Sequence, residues 1–210
     1  MEDLPALAGL VLGAYALGSV SFSLLFARWK GVDLRRAGSG NLGATNAGRV
    51  LGRRYGVAVY LLDALKGFLP AWVGLQLAPA TPLAGALAGG AAVAGHVWPF
   101  HLRFRGGKGV ATLSGAFLAL DPAALGLAAL LLAGAVAATR YMSVGSLALA
   151  LGLPFFVWWR DPASALGERR PVLVLAAACG LLVLWTHRSN LRRLLEGREN
   201  RLGGGGRGGR

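Results

Sequence analysis

Ahead of an apolar run, residues Arg103–Thr112 read RFRGGKGVAT. A basic glycine loop that opens a helix suits a phosphate. Consecutive glycines expose backbone N–H groups, the helix start adds partial positive charge, and Lys108 adds a full one. Gly106, Gly107, Lys108 and Gly109 are therefore candidate phosphate contacts, with Arg103 and Arg105 strengthening the field. The loop is not a Walker A sequence, which would need Gly at Leu102 and Ser or Thr at Gly109. The plainer reading is a flexible basic turn.

Three more polar segments carry residues able to do chemistry. In AGSGNLGATNAGRVLGRR (Ala37–Arg54), Ser39, Asn41, Thr45 and Asn46 can orient a hydroxyl or carbonyl, and Arg49 can take a phosphate in bidentate fashion. Loop and helix-cap roles are the plainer alternative. Gly38–Gly43 matches the dinucleotide pattern GxGxxG, and Asp63 lies twenty residues further on. That pattern needs a preceding strand and a βαβ unit, and an apolar helix precedes it here, so a dinucleotide site is rejected. In THRSNLRRLLEGRENR (Thr186–Arg201), His187 and Asn190 are three apart and share a face if the helix continues. His187, in an accessible position just past the last apolar run, is a candidate base or donor. Glu199 beside Arg198 and Arg201 reads as an ion-paired cap that holds the tail. TRYMSVGS (Thr139–Ser146) adds Ser143 and Ser146.

These segments lie between long apolar runs. The 210 residues are 55% hydrophobic and 15% charged, with mean hydropathy +0.54. A soluble domain carries about 25% charge, so the composition points to a polytopic membrane protein. The runs are Leu4–Ala27, Tyr55–Ala78, Pro82–Pro99, Val110–Leu120, Pro122–Thr139, Ser143–Trp159 and Pro171–Trp185. Val110–Leu120 is short, and Asp121-Pro122 breaks the helix after it. The stretch to Thr139 is either two crossings with a tight turn or one bent helix.

Charge chooses between them. Two crossings put 18 Lys and Arg residues on the inner side, with Arg160, Arg169 and Arg170 outside. One crossing leaves 13 inside and 8 outside. The positive-inside bias selects the first. The expectation is an all-α integral membrane protein of seven transmembrane helices, N-terminus outside and C-terminus cytoplasmic. It comprises one polytopic domain over residues 1–202 and a disordered Gly/Arg tail over 203–210. Trp29, Trp98, Tyr141 and Trp185 near inner ends and Trp158-Trp159 at an outer end fit interfacial anchoring.

All four polar segments then share the inner face. A transporter for an organic phosphate, the rival reading, should carry polar residues through the depth of the bilayer. The net charge of +13 is explained by inner loops and anionic headgroups, and no nucleic-acid module is present. One cysteine, Cys179, and scattered histidines leave no zinc-type metal site and no intramolecular disulfide. Asp63 and Lys66 sit one turn apart inside an apolar run, where structural pairing is the simpler role.

Together the motifs GSGNLGATNAGR (Gly38–Arg49), GHVWPFHLRFRGGKGVAT (Gly95–Thr112), RYMSVGS (Arg140–Ser146) and HRSNLRRLLEGRENR (His187–Arg201) resemble the PlsY family of bacterial membrane acyl-phosphate:glycerol-3-phosphate acyltransferases. The resemblance runs along nearly the whole chain and leaves out the Gly/Arg tail. It implies acyl transfer from acyl phosphate to the 1-hydroxyl of sn-glycerol 3-phosphate. The products are lysophosphatidic acid and phosphate, no cofactor is used, and the site lies on the cytoplasmic side of the inner membrane. It places Ser39 and Arg49 on essential positions and Gly106–Gly109 on the glycerol-phosphate loop. His187, Asn190 and Glu199 fall on the third motif. Ser143 and Ser146 are aligned less securely. Docking of the acyl-phosphate-producing enzyme at this face fits the same role. Two routes stay open: acylation of Ser39, or direct attack by the glycerol hydroxyl with His187 or a substrate phosphate taking the proton. Direct attack is favoured because no carboxylate visibly orients His187.

Overall fold

The computed structural model describes residues 4–203. Most of the expected Gly/Arg tail, residues 204–210, lies outside the described residues. Among those described there is no strand. The helices are α1 Leu4–Ser19, α2 Phe22–Trp29, α3 Ala44–Val50, α4 Arg53–Leu77, α5 Leu83–Val97, α6 Val110–Leu120, α7 Pro122–Thr139, α8 Met142–Arg160, α9 Pro162–Leu166, α10 Arg170–Thr186 and α11 Arg188–Leu195. A single 3-10 turn covers Phe100–Leu102.

Every expected apolar run is helical, but they are unequal as membrane spans. Five stretches are long and apolar enough to cross: Leu4–Trp29, Arg53–Leu77, Leu83–Leu102, Pro122–Thr139 and Met142–Arg160. Arg170–Thr186 with Arg188–Leu195, bent by 53°, makes a sixth. The remaining run, α6, has only 11 residues and rises about 16 Å. The structure thus supports a multi-pass helical membrane protein with five to six spans by length and composition.

Asp121-Pro122 separates α6 from α7 in the expected way. Pro122 occupies the first turn, where its missing N–H costs nothing, and the Asp121 carboxylate accepts from Ala124 N–H at 2.9 Å. The same buried carboxylate receives Arg160 at 2.7 Å and Arg169 at 2.8 Å. The turn between α6 and α7 is therefore pinned to the C-terminal end of α8 and the N-terminal end of α10. Lys108, before α6, and Ser143, after α7, instead meet around Asn190 and Glu199. So α6 and α7 run in opposite directions along the bundle.

The main core is built from Phe117, Leu113, Val93, Leu153, Val172 and Val183, with side chains interleaved from α5, α6, α8 and α10. Large apolar residues such as Leu12, Leu61, Leu130 and Leu181 point outward, as a lipid-facing surface requires. Small residues bring helices close. A Cβ on Gly115 of α6 would strike the Ala64 carbonyl of α4, and one on Gly67 would strike the Thr112 carbonyl. This contact holds α6 against α4 just below the glycine loop.

Gly115→Leu should therefore lower stability by about 3 kcal/mol or more in a detergent unfolding titration. Gly126→Leu on α7, where nothing lies within 4 Å of the added carbon, should shift it by less than about 0.5 kcal/mol.

Candidate functional site

The Ala37–Arg54 segment is a compact loop leading into α3, with a small apolar base of Ala27, Leu34, Leu42, Ala47 and Val59. Asn46 organises it. Its Oδ1 accepts the Ser39 N–H at 2.8 Å, and its Nδ2 donates toward the carbonyls of Asn41 (2.9 Å), Ala37 (3.1 Å) and Leu34 (3.3 Å). The amide is buried and fully engaged by the loop itself. Gly38 turns the chain at φ +60°, and a side chain there would run into Asn46. Ser23 of α2 donates to the Leu42 carbonyl at 2.7 Å and pins the loop from below. Ser39, Thr45 and Arg49 stay exposed, and Asn41 is half-buried.

The glycine loop is held differently from the expectation. Gly106 N–H donates to the Val97 carbonyl and Gly107 N–H to the His96 carbonyl, each at 3.0 Å. Those two groups complete the end of α5 and are not exposed to a ligand. A Cβ on Gly107 would land on the His96 imidazole, and one on Gly106 on the His96 carbonyl. Close packing is thus the reason for glycine at both positions. The N–H groups left for an anion are those at the start of α6, beyond Gly109 at φ +90°. Arg103 and Phe104 take left-handed φ values of 55° and 58° to turn the chain back toward α6.

Lys108 Nζ donates to Asn190 Oδ1, and the Lys108 carbonyl accepts from Thr186 Oγ1 at 3.1 Å. His187 stands at the bend between α10 and α11, and Asn190 N–H donates to its carbonyl at 2.8 Å. Beyond α11, Gly197 at φ +66° reverses the chain. Glu199 then returns beside α11. It accepts from Asn190 Nδ2 at 2.7 Å, Arg193 Nε at 2.8 Å and Ser143 Oγ at 3.0 Å. Leu202 N–H donates to the Arg140 carbonyl at 2.7 Å, and Arg140 Nη2 donates back to the Leu202 carbonyl at 3.0 Å.

The Glu199 pairing corrects the expected one. Arg198 binds Glu196 at 2.5 Å, and Arg201 donates to the Tyr141 hydroxyl at 3.1 Å. Glu199 turns inward because the Gly197 reversal carries it back over α11.

The charges reinforce one another. Burial lowers Lys108 to about 8, and the Arg193 guanidinium adds to this, Glu199 opposes it and Arg49 contributes in the same direction as burial. Burial likewise lowers His187 to about 4, with Lys108 adding to the effect and the Val183 carbonyl and Glu199 opposing it. His187 is only 3% exposed, so the expected accessible position is corrected. Its Nδ1 lies 2.8 Å from the Val183 carbonyl, which can only accept. A neutral imidazole there carries its proton on Nδ1 and leaves Nε2 as the acceptor. Burial raises the Glu199 carboxyl, but the hydrogen bonds from Asn190, Arg193 and Ser143 outweigh this and hold it below the usual range.

Lys108, Asn190, Glu199 and Ser143 thus form one connected cluster, with His187 and Arg49 close enough to share its field. Ser146 is buried a turn further along α8. Asp63 and Lys66 lie within α4 and pair at 2.7 Å. Sequence inspection missed Arg193, which looks like one more basic tail residue, and His96, which contacts the glycine loop from below. Among the described residues no three His, Cys, Asp or Glu side chains gather to hold a metal. A cavity of about 520 Å³ is lined by Leu24, Arg28, Arg35, His101 and Arg103, and of the residues singled out in the sequence it contains Arg103 alone.

A family model described as glycerol-3-phosphate acyltransferase matches residues 8–197. A glycerol-3-phosphate acyltransferase of Geobacter sulfurreducens is 48% identical over 190 residues, covering 90% of this chain and 94% of the relative. That of Aquifex aeolicus is 41% identical, covering 92% and 97%. Among solved structures, the chain is similar to the glycerol 3-phosphate form of PlsY, an integral membrane glycerol 3-phosphate acyltransferase. The TM-score is 0.88 at 40% identity, over 94% of this chain and 96% of that one. The lysophosphatidic acid form gives 0.85 at 39% identity.

Glu199→Ala would leave Asn190, Arg193 and Ser143 without their shared acceptor. It should cost about 2 kcal/mol of stability. The loosened 196–203 segment should then exchange its amide hydrogens faster, as hydrogen-exchange mass spectrometry can measure.

Proposed function

The chain belongs to the glycerol-3-phosphate acyltransferase family, and from that premise we propose that it transfers an acyl group from acyl phosphate to the 1-hydroxyl of sn-glycerol 3-phosphate. The observation that carries the reading is the Lys108–Asn190–Glu199 cluster. It gathers a buried cation, a base-ready histidine and a serine at one end of an apolar bundle. That end is where a water-soluble dianion and a lipid-tailed donor can meet.

Seven crossings, with the N-terminus outside and this cluster beside the cytoplasmic leaflet of the inner membrane, fit the charge bias. The Asp121–Arg160–Arg169 group at the far end agrees, because it puts the acidic turn and the two outer arginines together. The acyl-phosphate-producing enzyme would then deliver its product to the same face.

In the reaction, Lys108 and Arg49 hold the phosphate groups and offset the repulsion between two anionic substrates. Asn46 is a positioning residue for the loop bearing Ser39. Asn41 lends its carbonyl to the same network, while Thr45 and Ser39 face the exposed side. Ser143, through Glu199, braces Asn190. The glycerol C1 oxygen attacks the acyl carbon, its proton passes to His187 Nε2 or to the departing phosphate, and the acyl–phosphate C–O bond breaks. The donor is a mixed anhydride, so most of the barrier is orientation and charge stabilisation. Direct attack is supported by the surroundings of His187, whose Nδ1 partner is the Val183 carbonyl. Among the described residues no hydrogen bond joins it to Ser39.

Purified protein in liposomes should release phosphate from acyl phosphate only when glycerol 3-phosphate is present. Flux of glycerol 3-phosphate across sealed vesicles without phosphate release would support a transporter instead. Labelled acyl phosphate given alone should leave no acyl group on Ser39, and a trapped acyl-enzyme detected by mass spectrometry would establish the covalent route.

Lys108 supplies a pH test. It is cationic below about 8 and loses its proton as pH rises through that value. The KM for glycerol 3-phosphate should therefore climb above pH 8, and Lys108→Arg should flatten the climb because a guanidinium stays charged. Lys108→Ala should raise that KM by about tenfold or more at pH 7, with a smaller change in the KM for acyl phosphate.

A further inference from the structure

Beneath the glycine loop lies a buried array with no place in the reaction just described. Lys66 and Asp63 are each 2% exposed and pair at 2.7 Å inside the bundle. Carrying two ionised side chains into an apolar protein interior has a desolvation cost that their mutual attraction offsets only with additional hydrogen bonds. An apolar pair would pack there without that cost, so the two charges serve something beyond filling space.

Their outward contacts show what. Lys66 Nζ donates to the Val20 carbonyl at 2.7 Å, at the break between α1 and α2 where the helical hydrogen-bond ladder is interrupted. Asp63 Oδ1 faces His96 Nδ1 at 3.6 Å. The other edge of the His96 ring lies directly under Gly107, where a Cβ would overlap Nε2 and come within 2.7 Å of Cε1. The backbone of the same turn holds the loop from the side, since the His96 and Val97 carbonyls take the N–H groups of Gly107 and Gly106. Lys108 is the next residue. A continuous path of contacts therefore runs from the interrupted first crossing through α4 to the loop that carries the phosphate-binding cation.

We propose that His96, oriented by the Asp63–Lys66 pair, is a positioning residue that sets the height of the Gly106–Gly107 backbone and so the place where Lys108 meets glycerol 3-phosphate. The proposal rests on the acyltransferase reading and names a residue that reading does not use. A shift of the loop by a fraction of an ångström would carry Lys108 Nζ away from Asn190, and the dianion would bind a misplaced charge. The acyl donor's tail and the leaving phosphate would be affected less.

The test is a steady-state comparison in liposomes. His96→Leu should raise the KM for glycerol 3-phosphate about tenfold while the KM for acyl phosphate and kcat change by less than about twofold. His96→Gln, which keeps a planar polar group of similar reach under Gly107, should return the KM to within about threefold of wild type. A steric cycle supplies a second readout should His96→Leu fail to accumulate. Gly107→Ala pushes a methyl into the imidazole, and His96→Ala opens room for it. The double variant should have a lower KM for glycerol 3-phosphate than Gly107→Ala alone, a non-additivity expected only of side chains in contact. Equal loss of kcat and of both KM values in His96→Leu, or strictly additive effects in the cycle, would overturn the positioning role. Wild-type turnover in the same vesicles checks the activity itself, so failure of the enzyme reading and failure of this inference give different results.

Discussion

One buried carboxylate ties together the polar end of this bundle. Glu199 takes hydrogen bonds from Asn190 on α11, Arg193 one turn further along and Ser143 at the start of α8. It thereby joins the segment after α11 to the start of α8. Because the Asn190 amide donates to Glu199, its oxygen is left facing Lys108. A single anion thus sets the amide's orientation and, through it, the position of Lys108. It also keeps Lys108 charged in a place where burial and Arg193 both work to discharge it.

Cations crowd the cluster, where Arg193 and Arg49 both act against the charge on Lys108. A binding site for dianions needs cations held close together, and cations held close together repel. Here the repulsion is moderated by burying a carboxylate among them and by keeping His187 neutral. Neutrality comes first from burial and then from Lys108, and it leaves an imidazole with one nitrogen free to accept a proton. The Val183 carbonyl does for His187 what a carboxylate does in many catalytic histidine pairs: it fixes which nitrogen carries the proton.

The opposite end of the bundle is organised in the same way, by a buried carboxylate among cations. Asp121 ends α6, caps α7 and receives arginines from the end of α8 and the start of α10. The short α6 is consequently anchored at both ends, by Asp121 at one and by Gly109 and the Thr186–Lys108 contact at the other. Its close approach to α4 through Gly67 and Gly115 fixes it laterally. A helix too short to be an obvious span is thus held at both ends and along one side.

Much of this could be read in the order of residues. Apolar runs, Asp-Pro junctions and charge bias act locally or through the bilayer, so they left their pattern in sequence, and the α6 and α7 boundaries fell where Asp121-Pro122 put them. The gathering of Lys108, Asn190 and Ser143 was legible only as motifs sharing one membrane face. Which side chains touch was not. Glu199 passed over its neighbours Arg198 and Arg201 for Arg193, because the turn at Gly197 reverses the chain. Asn46 proved to be the hub of its own loop, and the N–H groups of Gly106 and Gly107 were consumed by the end of α5. Hydrogen-bond partners are decided by where separate helices are brought to rest. That depends on packing among residues far apart in the chain, and no local pattern encodes it.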